Sequence, residues 1–209
     1  MDRRYEADII RTLAQIMTRH HLVRGFKPVH WCTDCRSSLA EAEVEYKDKE
    51  SLSVDVLFEV SDDQALKTKT DAVCDKPLAV LVWTTTPWTL PANQAVCVSG
   101  AMHYSVVSLP DSEFDIILAT DLVASVMSRA GHEEFQVLGE VMGSDLVGQI
   151  LRHPFYDRDV PVLAGDHVTA EAGTGLVHTA PSHGEDDFVV CQRNGIEPIN
   201  PVASHGVFK

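Results

Sequence analysis

From about residue 53 onward the chain is a succession of short apolar runs broken by clusters of Gly, Pro, Asp and Ser, and this rhythm narrows the fold more than any other feature. The runs fall at 54–60, 78–83, 95–98, 104–109, 115–119, 135–138, 160–163 and 175–178. Strands this short and this closely spaced must pair with their neighbours, which predicts a barrel-like or strongly coiled sheet. Two segments break the rhythm with helical spacing. One covers 120–130, with Thr120 as N-cap and Gly131 as stop, and the other covers 184–194 and ends at Gly195. The expected class is α+β, a β-rich core with peripheral helices.

Ahead of this core the pattern changes. Ile9, Ile10, Leu13, Ile16 and Met17 recur at helical spacing, with Asp2, Glu6 and Asp8 early and Arg19, His20 and His21 late, which suits a helix dipole over 2–22. Residues 27–36, KPVHWCTDCR, read as a short strand and a Cys-x-x-Cys knuckle, and 41–46, EAEVEY, alternates as a strand with one acidic face. The polar stretch 47–51 is a linker candidate, dividing the chain into a helix-plus-knuckle unit at 1–48 and a main unit at 49–209.

The 209 residues carry 17 Lys and Arg against 31 Asp and Glu, a net charge of -14. That balance argues against a domain that holds nucleic acid by neutralising phosphates alone, so only a short RNA end is expected to enter, and DNA is not an expected partner. No apolar run approaches the roughly 18 residues of a membrane helix, and the charged start MDRRYEAD is not a signal peptide, so the expected setting is cytoplasmic. Five cysteines with one close pair do not make a disulfide framework.

Two segments carry candidate chemistry. In 81–93, LVWTTTPWTLPAN, the hydroxyls of Thr84, Thr85 and Thr86 follow a buried-strand signal, and Thr89 and Asn93 lie just beyond. Threonine also lines ordinary strand edges. Here Pro87 and Pro91 bracket Trp88 and force the strand to end, placing neutral donors and acceptors at its mouth, where ligands bind. The second segment, 173–187 or GTGLVHTAPSHGEDD, brings His178, His183, Asp186 and Asp187 to the two sides of one turn. Such a group could cap a helix, hold a metal for hydrolysis, bind an ammonium group or position a water. Cys32 and Cys35 supply half of a tetrahedral thiolate zinc site, and Cys74, Cys97 and Cys191 are isolated.

WTTTPWTLPAN and GTGLVHTAP.HG.DD together resemble the two signature segments of the editing domain inserted in isoleucyl-tRNA synthetases, and HWCTDCRSSLAEAEVEY resembles the stretch leading into it. Trp88 after Pro87 is the isoleucyl form; the valyl and leucyl enzymes carry a Thr-Thr-Arg-Pro version. The resemblance runs from the first helix through Pro201. It implies an editing domain on a connecting stem (1–48), excised from a longer synthetase whose ATP-binding synthetic site is not represented, since no HIGH-like or KMSKS-like signature occurs. It also implies a second cysteine pair beyond Lys209, so that zinc belongs to the knuckle of the full-length parent and no cofactor serves editing.

The same resemblance implies hydrolysis of valine wrongly attached to the isoleucine tRNA, and of valyl adenylate, with the aminoacylated 3′ end of that tRNA and the rest of the synthetase as partners. One methylene in an apolar pocket is worth only ~1–3 kcal/mol, a figure that comes from synthetases of this kind and not from this chain, so a second, smaller pocket must destroy the wrong product. Residue by residue, Asp187 corresponds to the carboxylate that binds the α-ammonium and His178 to a wall that limits side-chain size. Thr84, Thr85 and Thr86 correspond to contacts with the terminal adenosine, the aminoacyl group and the attacking water, and Trp88, Thr89 and Asn93 to positions lining the pocket. A module that binds the tRNA end without turning it over is the remaining expectation, alongside the metal-dependent hydrolase.

Overall fold

A computed structural model describes residues 2–22, 24–70 and 73–209. Helix α1 (Arg3–Thr18) starts where Asp2 caps it, the carboxylate accepting from the Arg4 N–H at 3.0 Å. None of its residues is buried. The knuckle follows as a minimal hairpin, β1 (Trp31–Cys32) against β2 (Ser37–Ser38), with Arg36 in a left-handed conformation at φ 54°.

The EAEVEY strand does not form. Glu41–Glu43 is a single 3-10 turn, and Glu43 reaches back to accept the Ala40 N–H at 2.7 Å. Alternation makes a strand only where a partner ladder takes up the backbone groups, and no neighbouring strand lies beside this segment among the described residues.

The main unit contains β3 (Val54–Glu59), α2 (Gln64–Lys67), β4 (Leu78–Thr84), β5 (Ala95–Val98), β6 (His103–Ser108), β7 (Asp115–Ala119), α3 (Val123–Ala130), β8 (Gln136–Met142), α4 (Gly143–Leu146), β9 (Ile150–Arg152), β10 (Asp159–Ala164), β11 (Leu176–Thr179) and α5 (Glu185–Arg193). One sheet has the order β3-β4-β7-β6-β8 and the other β11-β5-β10-β9. They touch edge to edge through the isolated Val60–Leu151 bridge and pack where β11 meets β4. The fold is the expected mixed α+β, with the strands in two sheets and no closed barrel among the described residues.

The apolar runs that lack alternation become the covered strands. LAVLVW of β4 lies between β3 and β7, and DIILA of β7 is buried throughout, as strands covered on both faces should be. β5 divides its side chains by period two: Val96 and Val98 enter the large core, while Ala95 and Cys97 join Leu163, Val168, Val190 and Cys191 in a small cluster beneath α5. That second cluster seats α5 against the sheet. The expected Thr120 cap is replaced by a 3-10 turn (Thr120–Leu122), and the Thr120 hydroxyl accepts from Ser105 instead. The stop at Gly131 forms as expected. Among the described residues no helix is long and apolar enough to cross a membrane.

Candidate active site

The first wall is the end of β4. Pro87 opens a 3-10 turn (Pro87–Ala92), so the strand stops at Thr84 and folds Thr86 and Thr89 back onto it. The Thr86 N–H donates to Thr84 Oγ1 at 3.1 Å, and the Thr84 and Thr86 hydroxyls lie 3.3 Å apart. Thr89 Oγ1 donates to the Thr86 carbonyl at 2.8 Å and sits 3.4 Å from Thr86 Oγ1. Thr85 is exposed, and its hydroxyl has no protein partner among the described residues. It is therefore the threonine free to hold something else.

The opposite wall is β11 and the start of α5. Gly175 leads into β11 at φ 75°, and a Cβ there would lie 2.3 Å from the Cβ of Ala119, so only glycine fits. Buried Tyr104 ties the same turn down, accepting from the Ser99 N–H at 3.0 Å and donating to the Gly175 carbonyl at 2.9 Å. Asp187, in the first turn of α5, accepts the Ala180 N–H at 2.8 Å, and a side chain at Gly184 would come within 2.7 Å of its Oδ2.

Between the walls lies a cavity of about 440 Å³ lined by Thr84, Thr85, Thr86, Trp88, Thr89, His178, His183 and Asp187 among others. Residues about 100 positions apart in sequence thus share one pocket. Among the described residues Asp187 is its single carboxylate and no Lys or Arg lines it, which makes it a place for one positive charge amid hydroxyls, rings and small aliphatic groups. Burial raises the Asp187 carboxyl above its usual range, opposed by the Ala180 N–H.

His178 is engaged at both ring nitrogens. Nε2 lies 2.8 Å from Thr89 Oγ1 and Nδ1 lies 2.7 Å from Asn93 Nδ2. The hydrogen-bond network assigns the roles. Asn93 Nδ2 also donates to the Ala95 carbonyl at 2.9 Å, and because that carbonyl can only accept, the amide cannot be turned over. Nδ1 is then an acceptor, Nε2–H donates to Thr89, and Thr89 passes its own proton to the Thr86 carbonyl. Burial, with His153 and His183 nearby, pushes the His178 pKa down to about 4. His178 is a neutral ring without a free lone pair, so it neither takes a proton from water nor ligates a metal while this network stands.

Asn93 accordingly differs from its expected place. It is fully buried behind His178, and its Oδ1 has no partner among the described residues. An Asn93→Asp substitution would set a carboxylate against Nδ1 and favour an N–H there. The expected result is a switch of the His178 ring in nitrogen-15 NMR, with protonation retained to higher pH; an unchanged ring would contradict the assigned tautomer.

Asp186 does not line the cavity, and His183, lowered in pKa by burial, packs edge-on against Trp88 with ring centroids 5.0 Å apart. No three His, Cys, Asp or Glu side chains gather to hold a metal among the described residues. The metal grouping of His178, His183, Asp186 and Asp187 is therefore dispersed by geometry. Cys32 and Cys35 do meet, the Cys35 N–H pointing at Cys32 Sγ at 3.3 Å. The backbone of Cys35 leads the bonds that lower the Cys32 thiol, while its contact with Cys32 raises Cys35, as expected of a pair sharing one proton. The knuckle offers two sulfur atoms of a four-ligand site.

Several supports had no local sequence signal. Arg158 donates to the Asn93 carbonyl at 2.7 Å and holds the turn from behind, and buried His153 lies 2.9 Å from the Leu90 carbonyl. Both come from more than 60 residues away.

Residues 1–181 match the class I tRNA synthetases (I, L, M and V). The chain belongs to that family. Over its whole length it is 54% identical to the isoleucine-tRNA ligase of Proteus mirabilis and 53% identical to that of Methylococcus capsulatus, covering 22% and 23% of those proteins. It thus spans about a fifth of the length of the curated relatives it matches. Its fold is similar to GlLeuRS-CP1 (TM-score 0.56, 22% identity, 69% of this chain and 63% of that one). A comparable likeness is to the cytosolic leucyl-tRNA synthetase editing domain of P. knowlesi (TM-score 0.56, 14% identity, 68% and 62%). The chain has the fold of synthetase editing domains.

Proposed function

We propose that the chain is the editing unit of an isoleucine-tRNA ligase and hydrolyses valine wrongly esterified to tRNA(Ile), and valyl adenylate, by a positioned water. The observation that carries this reading is Asp187, the one carboxylate among the described residues of a cavity otherwise lined by hydroxyls, rings, small aliphatic side chains and glycines. An aminoacyl ester offers the complement: one ammonium group, a small apolar side chain, and a ribose rich in hydroxyls.

In this reading the ammonium pairs with Asp187 and pins the ester. The neutral His178 ring, held by Thr89 and Asn93, is a rigid wall that limits the side chain. Thr85, with its free hydroxyl, and Thr86 hold the terminal adenosine and the attacking water, aided by the free ribose hydroxyl of the substrate. Holding water in line with the ester carbonyl supplies the acceleration. An acyl-enzyme on a threonine has no support, since an attacking hydroxyl needs a base and His178 has no lone pair to offer. We assign 1–48 as the connecting stem and 49–209 as the hydrolytic unit, with Cys32 and Cys35 as half of a structural zinc site in the parent enzyme.

Deacylation of valyl-tRNA(Ile) by the chain, with and without a chelator, tests this reading. Hydrolysis that survives the chelator is expected; hydrolysis abolished by the chelator and restored by a divalent metal would replace it with metal-dependent chemistry.

A further inference from the structure

A second cavity, of about 610 Å³, adjoins the candidate active site and shares Trp88 and His183 with it. It lies between the knuckle and the C-terminal segment, fastened by a bond from Trp31 Nε1 to the Ser204 carbonyl at 2.8 Å. Its lining includes Lys27, His30 and Lys209 and, among the described residues, no Asp or Glu. In a chain of net charge -14, a cavity lined by two ammonium side chains and by no acidic side chain among the described residues departs from the overall charge. Trp31 and Trp88 in its wall are 45% and 52% exposed, so each presents an indole surface that the fold leaves uncovered. A third cavity shares Lys27, His30 and His183 with it and holds Glu41 and Glu185, so the acids lie beyond Lys27 and not among the residues that line the second cavity.

We infer that this second cavity binds the nucleotide preceding the terminal adenosine of an RNA 3′ end, with Lys27 and Lys209 on its phosphate and a base stacked on Trp31 or Trp88. The inference rests on the reading above that the substrate is an amino acid esterified to RNA. An ester held in the first cavity has a polynucleotide attached, and the strand has to leave by an opening beside it. The partition of Trp88 and His183 leads into a space with ammonium groups for phosphate and aromatic faces for a base, the combination that holds single-stranded nucleic acid without reading its sequence. The acidic surface elsewhere repels the rest of the strand, so the contact is confined to one or two nucleotides.

The test compares two substrates of the same chain: valine esterified to adenosine alone, and valine esterified to a trinucleotide ending in that adenosine. For Lys27→Glu the ratio of kcat/KM for the trinucleotide ester over the adenosine ester is expected to fall about tenfold or more, with the salt slope of the trinucleotide reaction reduced by about 1. Trp31→Ala should lower the same ratio and Trp31→Phe should restore most of it. Ratios unchanged in Lys27→Glu and Trp31→Ala would overturn the inference. Binding of the unacylated trinucleotide, followed by quenching of tryptophan fluorescence, decides the cavity independently. Quenching weakened by Lys27→Glu supports it even where neither ester is cleaved, an outcome that would instead remove the hydrolytic reading. Quenching unaffected by Lys27→Glu counts against the cavity.

Discussion

Asp187→Asn is expected to remove most hydrolysis of valyl-tRNA and at the same time to make the protein harder to unfold at neutral pH. The loss of activity follows from the cavity, where Asp187 is the single carboxylate among the described residues that could take up the ammonium. Truncating one partner of a buried, hydrogen-bonded charge pair costs about 2–5 kcal/mol, a loss of roughly 30-fold or more in kcat/KM. The gain in stability follows from the raised carboxyl. A folded-state pKa above the unfolded one stabilises only below the unfolded value, and that contribution is lost as pH rises through the folded value. At neutral pH the ionised, desolvated Asp187 therefore works against folding. Asparagine keeps an oxygen for the Ala180 N–H without the charge. Thermal unfolding at pH 7 should show a higher Tm for Asp187→Asn, the difference closing under acid conditions where aspartic acid is itself neutral. A lower Tm at pH 7, or full activity, would contradict the place given to this residue.

The second large effect belongs to His178. Its pKa is depressed from 6.5 to about 4, so between those values the unfolded chain binds a proton that the native chain does not. Stability then rises with pH across this window, and is lost as pH falls from about 6.5 towards 4. At ~1.36 kcal/mol per pH unit the full contribution is about 3 kcal/mol. His153 and His183 are shifted in the same direction by burial, and Asp187 acts in the opposite one, so the single residue is isolated by comparison with His178→Gln. Denaturant titrations at several pH values should show a steeper acid loss in the parent protein than in His178→Gln. Equal slopes would mean that His178 is not buried as a neutral ring. Because the ring stays neutral, the hydrolysis rate should carry no step from His178 between about pH 5 and 8.

Much of this arrangement is legible in the amino-acid order. The covered strands β4, β5 and β7 are apolar but for Thr84 and Asp115 at their ends, and their bounds fall within a residue of those read from sequence, because burial on both faces leaves no ambiguity of period. The threonine wall is legible for a different reason: Pro87 and Pro91 force the strand to end, and that local constraint survives any tertiary context.

What was not legible depends on contacts distant in sequence. EAEVEY alternates like a strand but finds no partner, whereas the short β9 lies in a sequence with little signal and is defined by pairing with β10. Asn93 reads as a pocket residue because it adjoins the threonines; its depth behind His178 is set by the Ala95 carbonyl and by Arg158 beyond it. The tautomer of His178, on which the case against a base or a covalent threonine rests, follows from that contact and from no property of the GTGLVHTAP segment.

A cavity that accepts valine and refuses isoleucine should show itself in the rates at which the chain deacylates valyl-tRNA(Ile) and isoleucyl-tRNA(Ile). One methylene placed against a rigid wall is worth ~1–3 kcal/mol, so valyl-tRNA should be cleaved about 10 to 200 times faster. Equal rates for the two esters would rule out a size sieve in this cavity.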